Sequence, residues 1–74
     1  MSEAMEMWTI YDHPHDYPDH FVARKFIGVN GEPCPTGTWK YATTLEAVRD
    51  MIPWGLMCFP RQPGDHPTVV ETWM

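Results

Sequence analysis

The first twenty residues contain no lysine and no arginine, yet they hold Glu3, Glu6, Asp12, Asp16 and Asp19. Residues 21–74 balance five acids against five bases, so the whole formal charge of −5 falls in the first twenty positions. A basic stripe able to meet phosphates is missing, which excludes direct nucleic-acid binding. An acidic end fits instead a basic partner, a cation or simple solubility. Long apolar runs are absent too, so no segment reads as spanning a bilayer. The N-terminal residues lack both the basic flank and the apolar stretch of a secretion signal. Only two cysteines occur, Cys34 and Cys58, in no CxxC pattern. That excludes a zinc ribbon and a disulfide framework, and points to free thiols in a reducing cytoplasm. The five glycines are scattered as turn residues and build neither a phosphate cradle nor a nucleophile elbow.

What is present belongs to a folded protein. Four Trp, three Phe, three Tyr and six Met in 74 residues supply large apolar side chains for one domain, residues 1–74, with 1–6 frayed. Eight prolines argue for short elements and many loops. Residues 7–11, Met-Trp-Thr-Ile-Tyr, read as a strand with Trp8 and Ile10 on one face. Residues 21–27 read as a second, with Phe21, Ala23, Lys25 and Ile27 opposed to Val22, Arg24 and Phe26. Asn30-Gly31 signals a turn, but Pro33 and Pro35 predict a long connection over 28–37 before a short strand at 38–41. Thr43 with Glu46 has capping-box spacing, and Leu45, Val48 and Ile52 make the apolar stripe of a helix over Thr44–Ile52. Glu46, Arg49 and Asp50 are expected to face outward. Residues 56–59 and 68–74 read as two further strands, the latter with Val69, Glu71 and Trp73 on one side. The expected fold is α+β: a small antiparallel sheet of four or five strands with one short helix packed on one face, in the order β-β-(β)-α-β-β.

The run Trp8-Thr9-Ile10-Tyr11-Asp12-His13-Pro14, with Asp16-Tyr17-Pro18-Asp19 and Phe21-Val22-Ala23-Arg24, resembles a group of short proteins from proteobacteria and their prophages. The likeness extends through Thr44-Leu45-Glu46 to Val70-Glu71-Thr72-Trp73. It implies a bacterial or phage origin and an intracellular setting. The group carries no assigned activity and supplies no catalytic residues.

Between the first two strands, residues 12–20 pack three carboxylates, three imidazoles and two prolines. One reading is a metal site, with His13, His15, His20 and Asp16 as ligands of zinc or a similar ion, serving a metal-dependent enzyme. Its spacing matches no HExxH-type signature. A Cys–His hydrolase would need Cys34 or Cys58 beside His66 or His20, yet Cys58 reads as a small core residue. A third reading is a pH-responsive loop, its imidazoles set among carboxylates. The favoured reading is non-enzymatic: no cofactor, no membrane, and a protein partner with a basic surface. Tyr11, Asp12, Asp16, Tyr17 and Asp19 form its contact surface. An acidic inhibitor of nucleic-acid-handling machinery, of the anti-CRISPR kind, is one form this takes. The protein is expected to be a monomer or a homodimer, the latter pairing through the last strand if that strand is an edge. Trp8, Trp39, Trp54 and Trp73 are expected in the core or its rim, with Trp54 the most exposed. The triplet Asp-His-Pro occurs twice, at 12–14 and 65–67, each time bordering a strand.

Overall fold

The computed structural model describes residues 5–74. Five strands and one helix follow in order: β1 (Met5–Asp12), β2 (Phe21–Val29), β3 (Glu32–Ala42), α1 (Leu45–Asp50), β4 (Cys58–Pro60) and β5 (Val69–Trp73). All pairings are antiparallel and the spatial order is β3-β2-β1-β5-β4. The α+β expectation therefore holds in outline, with the helix a minor partner of a large sheet. No helix among the described residues is long and apolar enough to cross a membrane.

The strand alternation read from β1 and β2 is the one observed. Ile10 pairs with Ala23 and Trp8 with Lys25, and Trp8, Ile10 and Ala23 are buried against Val48 and Ile52 of the helical segment. Ile10, Val22 and Val48 are wholly buried. Each withdraws enough apolar surface to be worth about 1.5–3 kcal/mol. Met5 and Glu6 lie inside β1 rather than in a frayed tail, whereas residues 1–4 fall outside the described part. Glu6 has a definite role there: it accepts a hydrogen bond from Trp8 Nε1 at 3.0 Å and sits 3.7 Å from Lys25 Nζ.

Several local expectations are corrected. The 28–37 connection is instead a tight hairpin. Asn30 (φ 51°) and Gly31 (φ 82°) take the two left-handed positions of a type I′ turn, and β3 starts at Glu32. Pro33 and Pro35 are tolerated because β3 is an edge strand. In such a hairpin Val29 and Glu32 exchange hydrogen bonds, so positions 33 and 35 turn their nitrogens away from β2. A bulge at Thr36-Gly37-Thr38 follows, held by Thr36 Oγ1 donating to the Lys25 carbonyl at 3.0 Å.

The helix is capped by Thr44 rather than Thr43: Ala47 N–H donates to Thr44 Oγ1 at 3.2 Å. Glu46 therefore sits a position too early for a reciprocal capping box. The last turn tightens to Met51 N–H on the Val48 carbonyl and Ile52 N–H on that of Arg49, so the regular helix stops at Asp50. Lys40 Nζ donates to the Met51 carbonyl at 3.0 Å and lies 5.6 Å from the Trp8 ring centre, tying β3 to the helix exit.

β5 is not an edge. It lies between β1 and β4, so the edge on which pairing of that strand across a two-fold axis was conditional is not there. A register shift opposite Ile10/Tyr11 puts Val69 against Tyr11 but Glu71 against Ile10. Val69 thus leaves the face it was expected to share with Glu71 and Trp73, while Val70 joins the helix-side core. Arg49, expected to face outward, folds back onto the sheet. Its Nε and Nη2 donate to the two carboxylate oxygens of Glu71 at 2.9 and 2.7 Å, and Trp73 Nε1 donates to Oε2 at 2.7 Å. Glu71 is only 5% exposed, so these three donors replace its lost water.

Candidate functional site: the helix-free face of the sheet

One face of the sheet carries α1 and the other carries no helix. The strand positions on the second face follow from the register. They are Met5, Met7, Thr9 and Tyr11 in β1, and Val22, Arg24, Phe26 and Gly28 in β2. Pro33, Pro35, Trp39 and Tyr41 follow in β3, with Phe59 and Thr72 beyond β1. An antiparallel sheet with one face in water normally makes that face polar. Here the only charged strand residue is Arg24, and several large apolar side chains are open: Met5 58%, Trp39 44%, Tyr41 50% and Phe59 39% exposed.

The 13–20 segment folds across one end of this face as two successive turns. His13 N–H donates to the His20 carbonyl (3.0 Å), Tyr17 N–H to that of Pro14 (3.0 Å), and His20 N–H to that of Tyr17 (3.2 Å). His13 takes a positive φ of 49°, and Pro14 is buried beneath the loop. The loop's side chains then find partners on the strands. Asp16 is paired with Arg24. Tyr17 stacks on Tyr41 with ring centres 5.2 Å apart, and its hydroxyl accepts from Trp39 Nε1 at 3.0 Å. His20 meets both tyrosines edge-on, at 5.3 Å from Tyr41 and 6.3 Å from Tyr17.

Of the expected contact residues, Tyr11, Asp16 and Tyr17 come together on this face. Asp12 sits at its rim beside His13, and exposed Asp19 makes no ion pair among the described residues. Asp16 is already neutralised, so the loop is less of an acidic surface than its composition implies. The proposed metal set is not brought together. His13 packs on Phe21 at 5.0 Å, His20 on the tyrosines, and His15 lines a separate groove beside Arg24. Among the described residues no three His, Cys, Asp or Glu side chains are placed to share a metal ion. Cys58 is exposed on the short strand β4 rather than buried in the core, and both cysteines are free. Burial and then the nearby Glu71 carboxylate push the Cys58 thiol up, which opposes the thiolate a nucleophile needs.

Trp39, Tyr41, Phe26 and Met7 complete the face; from the sequence Trp39 is expected in the core or its rim, and none of the four on a contact surface. The signal was there in the period-2 placement of apolar residues on what ought to be the wet side of each strand. A second apolar surface lies at the helix exit, where fully exposed Trp54 and half-buried Trp73 line a depression with Ile52 and Leu56. No known protein family, curated protein or solved structure matches the chain.

Proposed function

We propose that this chain is a non-enzymatic protein-binding module whose contact surface is the helix-free face of its sheet. The observation that carries the reading is the charge-poor, aromatic makeup of a sheet face that no helix covers and that the 13–20 loop covers at one end alone. Trp39, Tyr41 and Tyr17 supply anchor area of the type that dominates interfaces, and Met5, Met7 and Phe26 extend it. Asp12 and Asp19 form an acidic rim at the loop end. The matching partner has an apolar patch flanked by Lys or Arg. In the bacterial or phage cytoplasm implied by the resemblance, such surfaces belong largely to nucleic-acid-handling proteins, and inhibition of one is the specific role this supports.

Trp39→Ala tests the aromatic cluster at the β3 side of the face. Loss of an aromatic anchor costs about 2 kcal/mol, or roughly 30-fold in affinity. Asp12→Asn with Asp19→Asn should weaken capture of the partner by a few-fold at low salt and less at high salt. Trp54→Ala, on the other side of the molecule, should change nothing. Capture that survives Trp39→Ala and fails with Trp54→Ala would move the interface to the helix exit and overturn the proposal.

A further inference from the structure

The two Asp-His-Pro triplets, far apart in sequence, end up side by side. Asp12 N–H donates to the Thr68 carbonyl at 2.7 Å, which clamps the loop after β1 to the loop before β5. Between them opens a groove of about 430 Å³, lined by Tyr11, Pro14, His15, Arg24, His66 and Thr68. Tyr11 and Pro14 give its lining apolar surface, and His15, Arg24, His66, Thr68 and the Tyr11 hydroxyl give nitrogen and oxygen groups.

Most of these groups keep a donor free among the described residues. The Tyr11 hydroxyl has no hydrogen-bond partner among the described residues. Burial, with a smaller push from Asp65 and against the pull of Arg24, raises its pKa, so it remains a neutral O–H donor. His15 has no hydrogen-bond partner among the described residues either. His66 Nδ1 is held by Thr68, 2.8 Å from its Oγ1 and 3.3 Å from its backbone nitrogen, and Nε2 has no hydrogen-bond partner among the described residues. Arg24 gives only Nη2 to Asp16, so Nε and Nη1 stay free. The three nearby carboxylates are all engaged: Asp12 by His13, Asp16 by Arg24, and Asp65 by Gln62 N–H at 2.8 Å.

We infer that this groove is a binding site for a small oxyanion, a carboxylate or a phosphate, carried on a flat apolar body. The guanidinium and the imidazole and phenol donors meet the oxyanion, as such groups do in bidentate and charge-assisted recognition. The body lies on Tyr11 and Pro14. The net charge of −5 does not forbid this, because charges beyond about 8 Å are largely screened at physiological salt. Asp16 acts as an internal competitor that the anion displaces from one edge of Arg24. The inference is independent of protein docking elsewhere on the face.

The test is an amide and side-chain NMR titration of the intact protein with benzoate, phenyl phosphate and the neutral benzamide, at constant ionic strength. Saturable shifts at Thr68, His15 and the Arg24 Nε–H are expected with one or both anions, the tighter one naming the oxyanion. Benzamide should bind about tenfold more weakly or not at all. His15→Ala, at a side chain with no hydrogen-bond or ion-pair partner among the described residues, should weaken binding several-fold. Asp16→Asn should tighten it by a similar factor, and Arg24→Gln should abolish it in protein whose spectrum stays folded. Equal binding of benzamide and benzoate, or indifference to both Asp16→Asn and His15→Ala, would overturn the assignment.

Discussion

Arg49→Met offers the most exacting test of how this sheet and helix are joined. The substitution keeps an unbranched apolar stem but removes the fork that holds Glu71. What remains is a carboxylate 5% exposed, held by Trp73 Nε1 at 2.7 Å and more weakly by the Cys58 thiol. Stripping the partner from a buried pair costs about 3–5 kcal/mol. Arg49 itself is 40% exposed, so part of the attraction is already screened and about 2 kcal/mol is the expected loss. For a 74-residue domain that is a large share of a total of roughly 4–11 kcal/mol, and it lowers Tm by about 8–16 °C. Urea melts at pH 7 of Arg49→Met, Glu71→Gln and the double variant measure it. The double variant should recover much of the loss, because no buried charge is left unpaired.

The pH dependence adds a second readout. Arg49 holds the Glu71 carboxyl below its ordinary 4.5, and the Trp73 bond helps, against the upward push of burial. The stabilisation is complete above the unfolded-state carboxylate value and disappears as pH falls through the lower folded-state value. In Arg49→Met burial is opposed only by the hydrogen bonds from Trp73 and Cys58, so the folded-state value rises and protonation relieves the buried charge. The gap between wild type and variant should therefore narrow as pH drops from 7 towards 3. A loss under about 0.5 kcal/mol at pH 7, strict additivity in the double variant, or a gap that widens in acid would refute the account.

Other outcomes follow from single features. Thr44→Ala should cost about 1 kcal/mol in a thermal melt through loss of the helix cap, whereas Thr43→Ala should cost less than about 0.5 kcal/mol. Gly31→Ala meets no neighbouring atom, so its expected loss of about 1 kcal/mol is purely the strain of φ 82° in the hairpin turn. Tyr41→Leu removes the stack under Tyr17 and the edge under His20. It should cost about 0.5–1.5 kcal/mol and speed hydrogen exchange of the Tyr17 and His20 amides relative to those of β1.

What could be read from the chain was whatever is encoded locally. The alternation of Trp8 and Ile10, the two-sided split of β2, the stripe of Leu45, Val48 and Ile52 and the exposure of Trp54 all depend on neighbours within a few residues. Pro33 and Pro35 misled because a proline's cost in a strand depends on which side its nitrogen faces, and that is set by β2. The Val70 bulge and the return of Arg49 to Glu71 are decided by pairing across the sheet, so no local pattern announces them. The same holds for the site. The density of ionisable groups at 12–20 was plain, but their partners Arg24, Trp39 and Tyr41 sit on other strands. Only the folded register shows that Asp16 is spent on Arg24 and that the three imidazoles part company.

The seating of β5 beside β1 has a kinetic consequence. β1, β2 and β3 form a meander of neighbouring hairpins, which close rapidly, whereas Trp8 meets Trp73 only across nearly the whole chain. Closing so long a loop is entropically costly, and non-local pairings of this kind form slowly. The meander therefore forms first and waits with one side of β1 unpaired. At high protein concentration during refolding, β5 from another molecule reaches that side as readily as the chain's own. The 51–57 segment then becomes the hinge of an exchanged dimer, whose yield rises with concentration while each half keeps the same internal contacts.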